Sequence, residues 1–272
     1  MVAGNMHMAP LSVPCSPGTR LLVAAVFLLA SGCAPSDNEQ PPQRSPTAAE
    51  VVSKPGSLPT PETPLDREGM ILAALRAATS AALGEDDAAT QAELKGRRFE
   101  VRISFGCSAS DVQANGGWTH DSAKGVLRAR VRADVDSDIL KASDLVAGGY
   151  EGALGFTLRR PWMLSDGCPD PSFAAMADGP AIAIAQLFTA SDSRVQRPKA
   201  SYEAVAQVTT EELPTKGLNL ILSGRLEPLA DGRAIRCAAS DGPPACIISS
   251  VIDRVAIEDP VRKVTLAEFG SS

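Results

Sequence analysis

The chain reads as an α+β protein that is mostly antiparallel β, a sandwich or partly open barrel with one or two N-terminal helices. Three observations predict this. Apolar residues alternate at period two through Phe99, Val101, Ile103 and Phe105, and again through Leu127, Ala129, Val131 and Ala133; that is the pattern of a strand with one wet face. In the C-terminal half, short apolar runs are separated by Asp231-Gly232, Asp241-Gly242 and Asp259-Pro260, which are turn dipeptides. Upstream, Ile71, Leu75, Ala78 and Ala82 recur at helical spacing.

Taken in order, Thr63-Pro64-Leu65-Asp66 looks like a helix start. Thr63 suits the cap, Pro64 the first helical position, and Asp66 completes a capping-box-like pattern. Gly84 is the expected stop. A shorter helix is expected over residues 86–95, ending at Gly96, with Glu85, Asp86 and Asp87 at its start, where the helix dipole favours anions. Strands follow from Arg98 and from Leu127, the second preceded by an expected hairpin turn over Asp121–Gly125. Further strands are expected near 150–160, 181–190, 201–209, 216–227, 233–239, 246–257 and 261–269.

The first 33 residues carry a different signal. Arg20 precedes the ten-residue apolar run Leu21–Ala30, and the small residues Ser31 and Gly32 lead to Cys33. A basic start, a short apolar core and a small-residue exit make a secretory signal. Ten residues are too few for a membrane-spanning helix, which needs roughly 20. Leu29-Ala30-Ser31-Gly32-Cys33 resembles the lipobox of bacterial lipoproteins, with Ala30 where Leu is commonest. The resemblance implies cleavage before Cys33, diacylglycerol on its side chain, and acylation of the new amino group. It also implies a membrane partner reached through that lipid. Ala34 stands where an Asp would signal inner-membrane retention, which implies an outer-membrane lipoprotein facing the periplasm. The alternative is an ordinary secretory signal with a coincidental cysteine. Met1, Met6 and Met8 are all candidate starts, and the mature chain is the same for each.

The chain therefore divides into a signal peptide (1–32), a lipidated Cys33 with a tether to residue 64, and a domain over 65–272. Eight of the 31 residues from Ala34 to Pro64 are proline and the rest are mostly polar. Such a segment cannot bury enough surface to fold, and its prolines keep it extended. Removing residues 1–32 takes away one basic residue and no acid, so the net charge of −6 becomes −7. A mildly acidic protein has no global attraction for nucleic acid, and none is expected as a partner.

With Cys15 in the signal and Cys33 at the lipid site, Cys107, Cys168, Cys237 and Cys246 remain. An even number in an oxidising compartment suggests two disulfides. A two-residue turn at Asp241-Gly242 places Cys237 directly opposite Cys246, although Pro243 and Pro244 cannot donate to the ladder beside it. Cys107 would then pair with Cys168. The rival is a four-thiolate zinc site, but no C-x2-C spacing supports it.

Catalytic equipment is sparse. The mature chain has one histidine, His120, beside the expected turn, and no G-x-S-x-G or S-x-x-K motif. Asp134, Asp136 and Asp138 open like a calcium loop, but Ile139 and Leu145 stand where the loop needs Gly and Glu. The blander expectation is a strand end running into a short helix capped by Ser137 or Asp138. Gly149–Gly155 lacks the spacing of a dinucleotide loop. Arg128, Arg130 and Arg132 share one face of a regular strand and are candidate ligands for phosphate or carboxylate. They are equally suited to a solvated face paired with acids. Arg159, Arg160 and Trp162 could rim a pocket near Cys168 through cation–π stacking; the alternative is Trp162 as core filling. No cofactor is expected. The expected function is a non-enzymatic binding or assembly module for an envelope protein or anionic polymer, with a carboxylate-pair hydrolase of envelope polymers as the alternative. Replacing Cys33 with Ser should move the protein from the membrane to the soluble fraction on cell fractionation. Unchanged tight membrane association would refute the anchor.

Overall fold

The computed structural model describes residues 62–107, 116–135, 137–143, 148–170, 181–194, 200–238 and 242–270. Cys33, the tether up to residue 61, Asp136 and Asp241 lie outside the described residues. Among the described residues three α-helices and ten strands follow in order: α1 (Arg67–Leu83), α2 (Ala88–Leu94), β1 (Arg98–Phe105), β2 (Gly116–Asp121), β3 (Val126–Arg132), α3 (Ser137–Ala142), β4 (Tyr150–Leu158), β5 (Ala181–Thr189), β6 (Ser201–Gln207), β7 (Leu218–Leu226), β8 (Ile235–Cys237), β9 (Ala245–Asp259) and β10 (Val264–Gly270). The fold is the expected α+β arrangement, mostly antiparallel and without a closed barrel.

The first helix starts three residues later than Thr63 would have it. Leu65 is held extended beside β1, donating to Arg98 O at 2.8 Å and accepting from Glu100 N at 2.9 Å, so the backbone there cannot coil. Asp66 takes the cap instead, its Oδ1 accepting from Gly69 N at 2.9 Å. Gly84 ends the helix at φ 65°, a left-handed turn that costs glycine nothing. The buried stripe is Met70, Ile71, Ala74, Ala77 and Ala78. Leu75 was expected in that stripe, but it is 36% exposed. The alanines let the helix approach closely enough that Ala74 O lies 3.5 Å from Cys237 Sγ and 3.6 Å from Cys246 Sγ. In α2, buried Gln91 turns inward and its Oε1 accepts from Ala234 N and Ile235 N, each at 3.0 Å, docking the helix on the start of β8.

Seven strands form one sheet in the order β1-β7-β9-β5-β4, with β8 and β10 also on β9. Strand β9 is 15 residues long and is used twice. Its first five residues pair with β5 and include the Cys246 end of the β8 pairing; the rest pair with β7 and β10. Ser249 shows that β7 and β8 share one edge of β9, since its N–H donates to Ala234 O and its carbonyl accepts from Glu227 N. The β5–β9 pair is parallel, an exception that strand periodicity did not predict. The other three strands make a small sheet, β2-β3-β6.

One face of the large sheet carries Phe99, Val101, Ile103, Leu220, Leu222 and Ile257 into a core shared with α1 and with Ala129, Val131, Tyr202 and Ala204 of the small sheet. The two sheets meet through Tyr202, whose ring lies 5.9 Å from Phe156 and 5.2 Å, edge-on, from Phe269. On the opposite face a smaller cluster packs Val135 and Ile139 against Ala183, Ala185, Leu229 and Ile247. Ser137 and Asp138 sit within α3 rather than capping it.

Strands β4 and β5 approach so closely at Gly155 that an added Cβ would strike Ile184 O and the Cα and Cβ of Ala185. Gly155→Ala should therefore destabilise the fold by about 1–3 kcal/mol, the usual cost of overpacking. Gly270→Ala, which meets open space, should change stability by less than about 0.5 kcal/mol. Urea unfolding of the two variants checks the contrast.

Candidate functional site

The four expected cysteines form two disulfides, Cys107–Cys168 and Cys237–Cys246. A four-thiolate metal site is thereby excluded. Cys237 faces Cys246 in the β8–β9 register, as the turn position requires. The Cys107–Cys168 bond instead ties the end of β1 to the segment after β4, and with Arg67 it holds a strap over that edge of the sheet.

This strap, residues 159–168, is organised by Arg67, the first residue of α1, which is only 5% exposed. Its guanidinium donates to four main-chain carbonyls: Met163 O at 2.8 Å, Arg102 O at 3.3 Å, Arg159 O at 2.6 Å and Arg160 O at 2.9 Å. Ser104 Oγ donates to Gly167 O at 3.2 Å, and Arg160 donates to Ser104 Oγ at 3.1 Å and to Cys107 Sγ at 3.5 Å. Arg160 holds φ 51°, a left-handed conformation rare for a non-glycine and disfavoured further by the following Pro161. Its bonds on both sides of the backbone hold it there. Burial lowers the Arg67 pKa, opposed by Asp166 and reinforced by Arg160. Burial likewise raises the Asp166 carboxyl; Arg67 and Arg102 oppose that, and Asp66 and Glu258 add to it.

A cleft opens between the two sheets. Its floor is Ile103, Phe105, Val131, Phe156 and Leu220, and its rim is Arg132, Asp134, Thr157 and Arg159. Its volume is about 20 Å³, room for roughly one water molecule. Thr157 Oγ1 is buried without a hydrogen-bond partner among the described residues, but Thr157 pairs with Ala183 of the opposite-face cluster, so its hydroxyl lies on the other side of β4 from Phe156 and the cleft floor. A shielded hydroxyl in that state is an unmet donor and acceptor. The cleft thus joins three residues proposed separately from the sequence, Arg132, Arg159 and Asp134. Arg132 and Arg159 at its rim give it the charge to attract a carboxylate or phosphate, while the small volume behind them admits little more than a water.

The remaining candidates lie elsewhere. Arg128 and Arg130 point outward from β3 and share Glu203, at 3.4 Å and 2.7 Å respectively. Hydrogen bonding from Arg130, then its charge, lowers the Glu203 pKa. These two arginines therefore sit on a solvated face, where such pairs contribute little stability. Arg160 belongs to the strap, and Trp162 is 45% exposed beside it, so it does not fill the core. The core position near the disulfide belongs to Trp118, whose Nε1 donates to Gly106 O at 3.0 Å. Asp138 pairs with Lys141 on α3 while Asp134 lines the cleft. Among the described residues no three His, Cys, Asp or Glu side chains are grouped to hold a metal. His120 is half-buried at the end of β2, with Nε2 shielded and without a partner among the described residues.

Arg67, Ser104, Asp166 and Thr157 were missed. For Arg67 a signal existed: a cation in the first turn of a helix opposes the helix dipole and needs another reason to be there. Its reason is the strap. No protein-family model, curated protein or solved structure matches the chain. Arg67→Lys keeps the charge but cannot fork to four carbonyls, so it should cost about 2–5 kcal/mol through desolvated acceptors left unpaired. Chemical denaturation measures this, and a loss below 1 kcal/mol would show that water readily replaces the guanidinium.

Proposed function

We propose that this protein is an envelope lipoprotein, anchored through lipid on Cys33, whose domain is a non-enzymatic binding or assembly module. The observation that carries the binding role is the cleft, where Arg132 and Arg159 stand at the rim of an apolar floor. That chemistry suits an anionic group of an envelope polymer or protein. The anchoring role is supported by the lipobox-like Leu29–Cys33, the proline-rich tether after it, and two disulfides that fit an oxidising compartment. Among the described residues no helix is long and apolar enough to cross a membrane. In this reading the lipid provides the attachment, with the domain in the periplasm at the outer membrane.

A hydrolase of envelope polymers is the second reading. It takes its support from Asp166, a half-buried carboxyl with a raised pKa near Asp66 and Glu258. A pull-down from envelope membranes with the intact lipidated protein separates the two. A binding module should recover a protein or polymer, and Arg132→Ala combined with Arg159→Ala should cut recovery about tenfold or more, as expected for charge-assisted contacts. Empty pull-downs together with hydrolysis by the soluble protein would overturn the binding module.

A further inference from the structure

We propose that α1 and the strap beside it form a membrane-contact face, which brings the domain down onto the bilayer that its lipid enters. This inference rests on the lipid-anchor reading. Its observation is where the exposed apolar side chains lie. Eight large ones stand out among the described residues. Five of them lie on α1 or on the strap gripped by its first residue: Leu72 (41%), Leu75 (36%), Leu83 (64%), Trp162 (45%) and Leu164 (48%).

The helix itself points the same way. A surface helix ordinarily has one apolar face and one polar face. α1 is apolar on both: Met70, Ile71, Ala74, Ala77 and Ala78 face the core, while Leu72, Leu75 and Leu83 face out with Glu68 and Arg76 as the only exposed charges. The scarcity of outward charge explains why the buried stripe was hard to place from spacing alone.

The occupant is argued from the chain and from chemistry. Along the sequence the tether from Cys33 leads directly into Leu65 and α1, so α1 is the first helix of the domain reached from the anchor. Trp162 combines a large apolar ring with one N–H, the composition that favours the headgroup region of a bilayer. Leucines on the outward face of a helix lying flat can sink to the acyl boundary, with Arg76 reaching back to the phosphates. One lipidated residue already holds the protein, so this face need only orient the domain, and a modest apolar area suffices.

The test uses the full lipidated mature protein in vesicles of phosphatidylethanolamine and phosphatidylglycerol, with or without bromine on the acyl chains. The chain has two tryptophans, and Trp162→Phe leaves Trp118 as the internal baseline. The wild type should be quenched clearly more than Trp162→Phe in brominated vesicles. Leu72→Ser, Leu75→Ser and Leu83→Ser together, all at exposed positions, should about halve that excess while circular dichroism stays unchanged. Co-flotation with vesicles and no excess quenching would overturn the contact face and leave the anchor intact. Trp162 shielded only by self-association, at protein concentrations where a dimer forms, would overturn it too. Failure to co-float would overturn the anchor reading and this inference with it.

Discussion

The Arg67 guanidinium bears more of this structure than any single apolar contact. It is a buried cation whose partners are four main-chain carbonyls rather than a carboxylate. Removing it would strand acceptors on two segments at once: β1 at Arg102, and the strap at Arg159, Arg160 and Met163. Each stranded acceptor costs about 1–3 kcal/mol when it stays dry. The same residue also resolves an exposed-edge problem. β1 is the last strand of the large sheet, and an open edge invites another strand. Leu65 satisfies two of its backbone groups and Arg67 a third, so the residues that lead into the helix also close the sheet.

The strap and the cleft follow from that closure. Holding residues 159–168 against β1 fixes the turn after β4, and this turn carries the Arg159 side chain to the cleft while its carbonyl stays bound to Arg67. The Cys107–Cys168 bond secures the far end. It spans 61 residues of chain against 9 for Cys237–Cys246, so on chain-entropy grounds it restricts the unfolded chain more. The shorter bond restrains little of the unfolded chain, and it lies directly beneath α1, where it fixes β8 in register with β9.

How much of this was legible depended on whether the signal was local. Phe99, Val101, Ile103 and Phe105 alternate because their strand has one wet face, and all four are buried. The facing of Cys237 and Cys246 followed from counting outward from a turn. The parallel pairing of β5 with β9 had no such signal. Ala181–Ala185 and Ala245–Ser249 are buried on both faces, where side-chain identity no longer reports direction or neighbour. Asp66 was overlooked as a cap because Leu65 is drawn into a tertiary bridge that overrides the Thr-Pro pattern. The cleft could not be assembled from sequence. Arg132, Thr157 and Arg159 come from two different sheets, and nothing along the chain states that those sheets face each other.

The double use of β9 governs how the chain can assemble. Before residue 245 is available, β1 can pair with β7 and β4 with β5, yet those two pairs share no hydrogen-bonded neighbour. They remain two separate strand pairs. The strand that joins them, β9, follows all four of their strands along the chain. The sheet therefore closes only once residues 245–259 are present, and the contacts that close it are long-range, which makes folding slow. Until that strand is in place, the two strand pairs cannot act as one cooperative unit.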